Sequence, residues 1–334
     1  MKKRFLAIAI ASGLASPFAA NADATVYGIV HMTVGMVDTG TGGTDNWQVD
    51  SVASRLGFKG SEDLGNGMTA TYKLEYGVDP DAGGPGQVSG GTTGLSRRNQ
   101  YVGLKGGFGE VRVGRHDTPL KMSQGKFGQF NDTRGDIRNV GAADLRVDNA
   151  IAYINKFTDE FTFAIALVPG EGDGVTAGDG PADTISAAGM YASGPLYVAL
   201  AMDTYDDTGN SGLNASGMGV LVDSTTRLTV TYKMGKMQFG FLMENQTGIT
   251  GQPDLDGMGF SFGMGMGKNK AKFQYLTGEI DNNGGDTTNL SVGYDWGLSK
   301  RTTAYVQYTT SETEVGSTTT AEMDFMGVGL KHKF

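Results

Sequence analysis

Charged side chains, not nucleophiles, carry the chemistry legible in this chain. His116 stands beside Asp117, a pairing that suits acid–base work, yet no nucleophile with a partner at a recognisable spacing accompanies it. The other two histidines, His31 and His332, lie far away, and there is no cysteine. Neither a HExxH-type zinc site nor a thiolate site follows from that set. The sequence therefore offers no catalytic residue, no metal ligand set and no cofactor. What stands out is a mixed-charge stretch, residues 118–145. It sets Lys121, Lys126, Arg134 and Arg138 against Asp132, Asp136 and Asp144, with Phe127 and Phe130 as apolar anchors. Fixed charges at a narrow aqueous gap make no bonds. They sort ions by sign and orient dipolar solutes.

Something rigid must hold those charges around water. The N-terminus says where it is built: Met1-Lys2-Lys3-Arg4 is basic, Phe5 to Ala15 is apolar, and Ala20-Asn21-Ala22 is a small-x-small site. This reads as a secretory signal peptide over 1–22, too short an apolar run to span a bilayer. Residues 23–334 then form one domain. The formal net charge of −9 makes nucleic acid a poor partner.

Strand-like segments fill that domain, and alternating short and long connections join them. Tight turns rich in Gly, Asn, Asp, Ser and Lys, such as Ser61 to Gly67 and Gly267-Lys268-Asn269, alternate with longer polar loops. Sixteen segments are expected, with no helical period of useful length. The last is the clearest. Met326, Val328, Leu330, His332 and Phe334 share one face, and Phe325, Gly327, Gly329, Lys331 and Lys333 share the other. An apolar outer face, a small or charged inner face and a terminal aromatic fit a transmembrane barrel strand. In lipid every backbone donor must be paired within the protein, so such a sheet must close. The expectation is an all-β, 16-stranded antiparallel transmembrane barrel, wide enough to need narrowing, with 118–145 as the candidate constriction loop.

Several stretches resemble Gram-negative general porins of the neisserial and proteobacterial trimeric type. They are Ser54-Arg55-Leu56-Gly57-Phe58-Lys59-Gly60-Ser61-Glu62-Asp63-Leu64-Gly65-Asn66-Gly67, then Tyr101 to Gly109, Val113-Gly114-Arg115 with Thr118-Pro119-Leu120, Arg146 to Tyr153, and Val328 to Phe334. The resemblance implies an outer-membrane trimer for passive diffusion of ions and small hydrophilic solutes, narrowed by its third outer loop, an inward-folded constriction loop. It implies lipid and lipopolysaccharide around the barrel, and recognition of Phe334 by the assembly machinery. A substrate-selective channel for sugars or carboxylates on the same fold is the alternative reading.

Alternation assigns the wall opposite the loop. With Leu56 and Phe58 outward, Arg55 faces the lumen; with Val102 and Leu104 outward, so does Arg97. Val111 and Val113 outward place Arg112 inside and give Arg115 an outward parity. Val147, Ile151 and Tyr153 outward place Arg146 inside. The resemblance assigns wall arginines such as Arg55 and Arg97 to the basic side of the constriction. Acidic loops outside and arginines inside leave the ion preference open at this stage.

Overall fold

The computed structural model describes residues 24–40, 45–81, 95–170, 180–205, 221–282 and 284–334. The signal peptide expected over 1–22 lies outside them. The first half of the barrel comprises β1 (Thr25–Asp38), β2 (Asn46–Ser51), β3 (Arg55–Gly65), β4 (Met68–Val78), β5 (Leu95–Gly106), β6 (Gly109–Asp117), β7 (Arg146–Lys156), β8 (Phe161–Val168) and β9 (Thr184–Ser193). The second half comprises β10 (Leu196–Tyr205), β11 (Val222–Met234), β12 (Met237–Gly248), β13 (Leu255–Met266), β14 (Asn269–Ile280), β15 (Gly285–Gly297), β16 (Thr302–Val315) and β17 (Thr318–Lys333). Between β6 and β7 sit a short helix, α1 (Pro119–Ser123), and a 3-10 turn, Ile137–Val140.

Apart from β2 and β3, neighbouring strands pair antiparallel, and β1 pairs with β17, from Ile29 opposite Lys333 to Asp38 opposite Asp324. β2 and β3 lie end to end on β1. They are one barrel strand interrupted at Val52–Ser54, where Ala53 takes φ 49°. The cylinder is thus 16-stranded and closed. The second strand starts at Asn46, because that polar segment finds ladder partners on β1.

Pleating decides what each face meets. Along β1 Val26, Val30, Val34 and Met36 are exposed on the outer face, while His31, Thr33 and Val37 are buried inside. The closing strand follows the same rule: Met326, Val328, Leu330 and Phe334 are exposed and Phe325 is buried. An apolar exterior is what hydrocarbon requires. The short turns are built locally. Asn66 and Gly67, at φ 51° and 74°, supply the two positive-φ positions of the connection from β3 to β4.

The seam is where the chain's end meets its beginning. The Phe334 amide donates to the Gly28 carbonyl and the Gly28 amide donates to the Phe334 carbonyl, each at 3.1 Å. The Phe334 ring lies over Gly28, where a Cβ would overlap both the ring and the Arg55 carbonyl. Gly28→Val should therefore strain closure by about 1–3 kcal/mol, the usual cost of overpacking. A lower urea midpoint for loss of the compact, heat-modifiable gel form would register it; an unchanged midpoint would refute the seam argument.

Candidate pore constriction

Residues 118–145 turn back into the barrel and lie against the inner face of β8–β15. Three groups of contacts hold them there. α1 sets Leu120 with Ala143 against Ala188 and Ala201. Phe127, Ile137, Val140 and Ala142 pack on Leu242 and Leu276. Leu145 packs beside Val147, Ala150 and Val168. The wall makes room with glycines. Phe127 fills the space a side chain would need at Gly240 and Gly259, Phe130 does so at Gly293, and Val140 lies over Gly278.

An irregular segment carries backbone polar groups that strands cannot satisfy, so side chains must do it. Ser186 Oγ accepts from the Leu120 amide at 3.1 Å, and the Tyr197 hydroxyl donates to the Ser123 carbonyl at 2.9 Å. Gln274 accepts from the Gln129 amide at 2.8 Å and donates to the Gly135 carbonyl at 2.7 Å. Gln246 donates to the Gly141 carbonyl at 2.8 Å, and Asn289 to the Arg134 carbonyl at 3.1 Å.

The strongest anchor is a fully buried ion pair, Arg227 with Glu244. Arg227 Nε donates to Glu244 Oε2 at 2.6 Å. Its other nitrogens donate to the carbonyls of Leu120, at 3.2 Å, and Ala143. Glu244 Oε1 accepts from the Ala143 amide at 2.7 Å. The pair thereby clasps both ends of the loop. Arg227 and Glu244 were not among the residues singled out by sequence, although they lie opposite each other in the β11–β12 hairpin, equally far from its turn.

The loop's charges divide by task. Asp136 is buried and internal: it caps the 3-10 turn by accepting from the Arg138 amide at 3.1 Å and also accepts from the Asp132 amide at 2.6 Å. Lys121 bridges Asp144 at 3.0 Å and Asp117 at 3.6 Å. Arg138 pairs with Asp136 at 3.2 Å and Asp144 at 3.5 Å. Burial opposes its charge, but those two carboxylates raise its pKa above the ordinary arginine value. Arg134 crosses to β2, donating to Gln48 at 2.7 Å and Asp50 at 3.2 Å. Lys126 is exposed on the underside, near Tyr197, Lys233 and the Gly194–Pro195 turn.

Across the gap, Arg55 reaches Asp132 of the loop at 4.0 Å. Arg112 points inward, bonded to Glu110 at 2.8 Å and His116 at 2.8 Å, with its guanidinium over Tyr101. Arg146 pairs with Asp117 at 2.8 Å and donates to Asn99 at 3.1 Å. Its neighbour Val147 is fully buried among Leu145, Ala150 and Val168, not outward as alternation implied. The cause is a register break opposite Arg115, where β7 carries Asp148 and Asn149, the latter at φ 57°.

Arg97 corrects the expectation most directly. Opposite Glu75, β5 carries two residues, Arg98 and Asn99, where β4 carries one. Such a bulge resets the parity beyond it. Arg98 is therefore the lumen residue, donating to Glu75 at 2.9 Å beside Lys73 at 3.2 Å and the Tyr27 hydroxyl at 2.8 Å. Arg97 sits opposite Tyr76 on the outer face, with a side chain 66% exposed. It shares Asp148 with the outward Arg115, at 3.3 and 2.6 Å.

The profile of the Gram-negative porin family matches residues 6–316. The Neisseria gonorrhoeae major outer membrane protein P.IB is 37% identical over 134 residues, 36% of this chain and 34% of that protein. The chain thus aligns with about a third of the P.IB proteins' length. Outer membrane porin protein 32 of Delftia acidovorans is 27% identical over 91% of this chain and 88% of its own. Among solved structures, an anion-selective porin from Comamonas acidovorans superposes with a TM-score of 0.77 at 23% identity, covering 94% of this chain and 100% of that one. The trimer form of OmpT from Vibrio cholerae gives 0.67 at 16% identity, covering 94% and 99%. The chain belongs to the Gram-negative porin family and is a β-barrel of the outer membrane.

Proposed function

We propose that the barrel is a passive diffusion channel for ions and small hydrophilic solutes, constricted by residues 118–145 and preferring anions. The preference rests on one observation. Around the gap and below it, Arg55 meets only Asp132, at 4.0 Å, and among the described residues Lys331 and Lys333 have no carboxylate within ion-pair distance. The loop spends Asp136 and Asp144 on its own Lys121 and Arg138, so they do little to offset that excess. Unbalanced positive charge beside and below the narrowest point attracts anions and repels cations. The anion-selective porin from Comamonas acidovorans agrees in sign.

Residues 23–334 act as one channel domain in this reading. The trimer form of OmpT supports a homotrimer. The exposed apolar exterior suits outer-membrane lipid and lipopolysaccharide, and Phe334, exposed beside the seam, suits recognition by the barrel-assembly machinery. The reversal potential of a planar bilayer under a potassium chloride gradient tests the anion preference. The expected sign is that of chloride; the sign of potassium would overturn the preference, and a closed bilayer containing folded protein would overturn the channel.

A further inference from the structure

Below the gap the lumen holds a second recess, about 250 Å³ in volume, between the underside of the loop and the inner face of β1, β14, β15, β16 and β17. Lys331 and Lys333 enter it from β17. Two residues apart on one strand face, they are spaced by about 7 Å. Lys272 lines the side, but Asp295 holds it at 2.8 Å and its ammonium lies 4.7 Å from the Phe130 ring centre and 5.6 Å from that of Tyr305. Asp295 is thus neutralised by Lys272, and the net charge of the recess comes from Lys331 and Lys333. From the roof, Gln129 directs its amide hydrogens at the loop's own carbonyls, while its Oε1 is buried against Gly263 of β13, away from the recess.

The geometry points to a binding station for a small organic phosphate monoester. Two lysines serve as point charges for a phosphate dianion. The Tyr305 ring, held by hydrogen bonds between its hydroxyl and His31 at 2.8 Å and Thr33 at 2.5 Å, is a fixed apolar wall for the carrier. The station rests on the diffusion-channel reading. It adds to that reading a place where one class of solute pauses.

Ion-current interruptions in the reconstituted full-length channel test it. A hexose 6-phosphate should block transiently, at a concentration at least about tenfold below inorganic phosphate or the uncharged hexose. K331Q/K333Q should raise the half-blocking concentration about tenfold or more, and Lys331→Arg with Lys333→Arg should restore it. An uncharged hexose that blocks equally well, or block untouched by K331Q/K333Q in a conducting channel, would overturn the station alone. Folded protein that does not conduct would overturn the channel reading instead.

Discussion

Arg227→Leu should unseat the loop and give a larger, noisier single-channel current. Arg227 is fully buried and holds Glu244 together with the Leu120 and Ala143 carbonyls. Leucine leaves Glu244 as a lone buried carboxylate, a loss of about 3–5 kcal/mol when one partner of a buried pair is removed. Two carbonyls lose their donor in the same step. The barrel ladder does not depend on that side chain, so the damage falls on the loop, whose seating is the weaker equilibrium. Adding Glu244→Gln should recover part of the loss, since no lone charge remains and Gln can still accept from the Ala143 amide. Conductance histograms and protease sensitivity within 118–145 check both variants. A wild-type conductance in Arg227→Leu would show that the apolar contacts of Phe127, Ile137 and Leu120 seat the loop unaided.

How far the sequence reaches follows from the range of each interaction. Pleat parity is local, so one well-formed strand such as Phe325–Phe334 calibrates the inside and outside of its neighbours. It fails where a single residue is added. The two residues Arg98 and Asn99 opposite Glu75, and Asp148 with Asn149 opposite Arg115, look like ordinary strand in sequence. They nevertheless exchange Arg97 for Arg98 in the lumen and turn Val147 inward. The loop's bounds were legible because polarity and length distinguish 118–145 from every turn. Its seat was not: Gly240, Gly259, Gly278 and Gly293 read as generic strand glycines until Phe127, Phe130 and Val140 are found above them. Arg227 and Glu244 lie between these extremes. Their equal distance from the Gly235–Lys236 turn is a local signal, visible once hairpin register is written out.

The exchange at the β5 bulge has a direct electrical consequence. Neutralising Arg98 together with Arg55 should lower the anion-to-cation permeability ratio several-fold, whereas Arg97→Gln should leave it unchanged. Arg55 and Arg98 face the aqueous gap; Arg97 faces outward, shares Asp148 with Arg115 and is separated from the lumen by the wall. A unit charge about 5 Å from a permeating ion is worth about 1 kcal/mol in a water-like dielectric, a factor of about five in local concentration. The effect should shrink as salt rises and the Debye length falls from about 10 Å at 0.1 M to about 3 Å at 1 M. Glutamine keeps hydrogen-bonding capacity at Arg98, although it leaves Glu75 with Lys73 and the Tyr27 hydroxyl as its partners. Part of the shift therefore comes from a freer Glu75 carboxylate, and Arg98→Gln with Glu75→Gln separates the two, because it removes one charge of each sign. Reversal potentials at 0.1 and 1 M salt supply the readout. A shift for Arg97→Gln equal to that for Arg98→Gln would mean that the bulge does not set which arginine the ions meet.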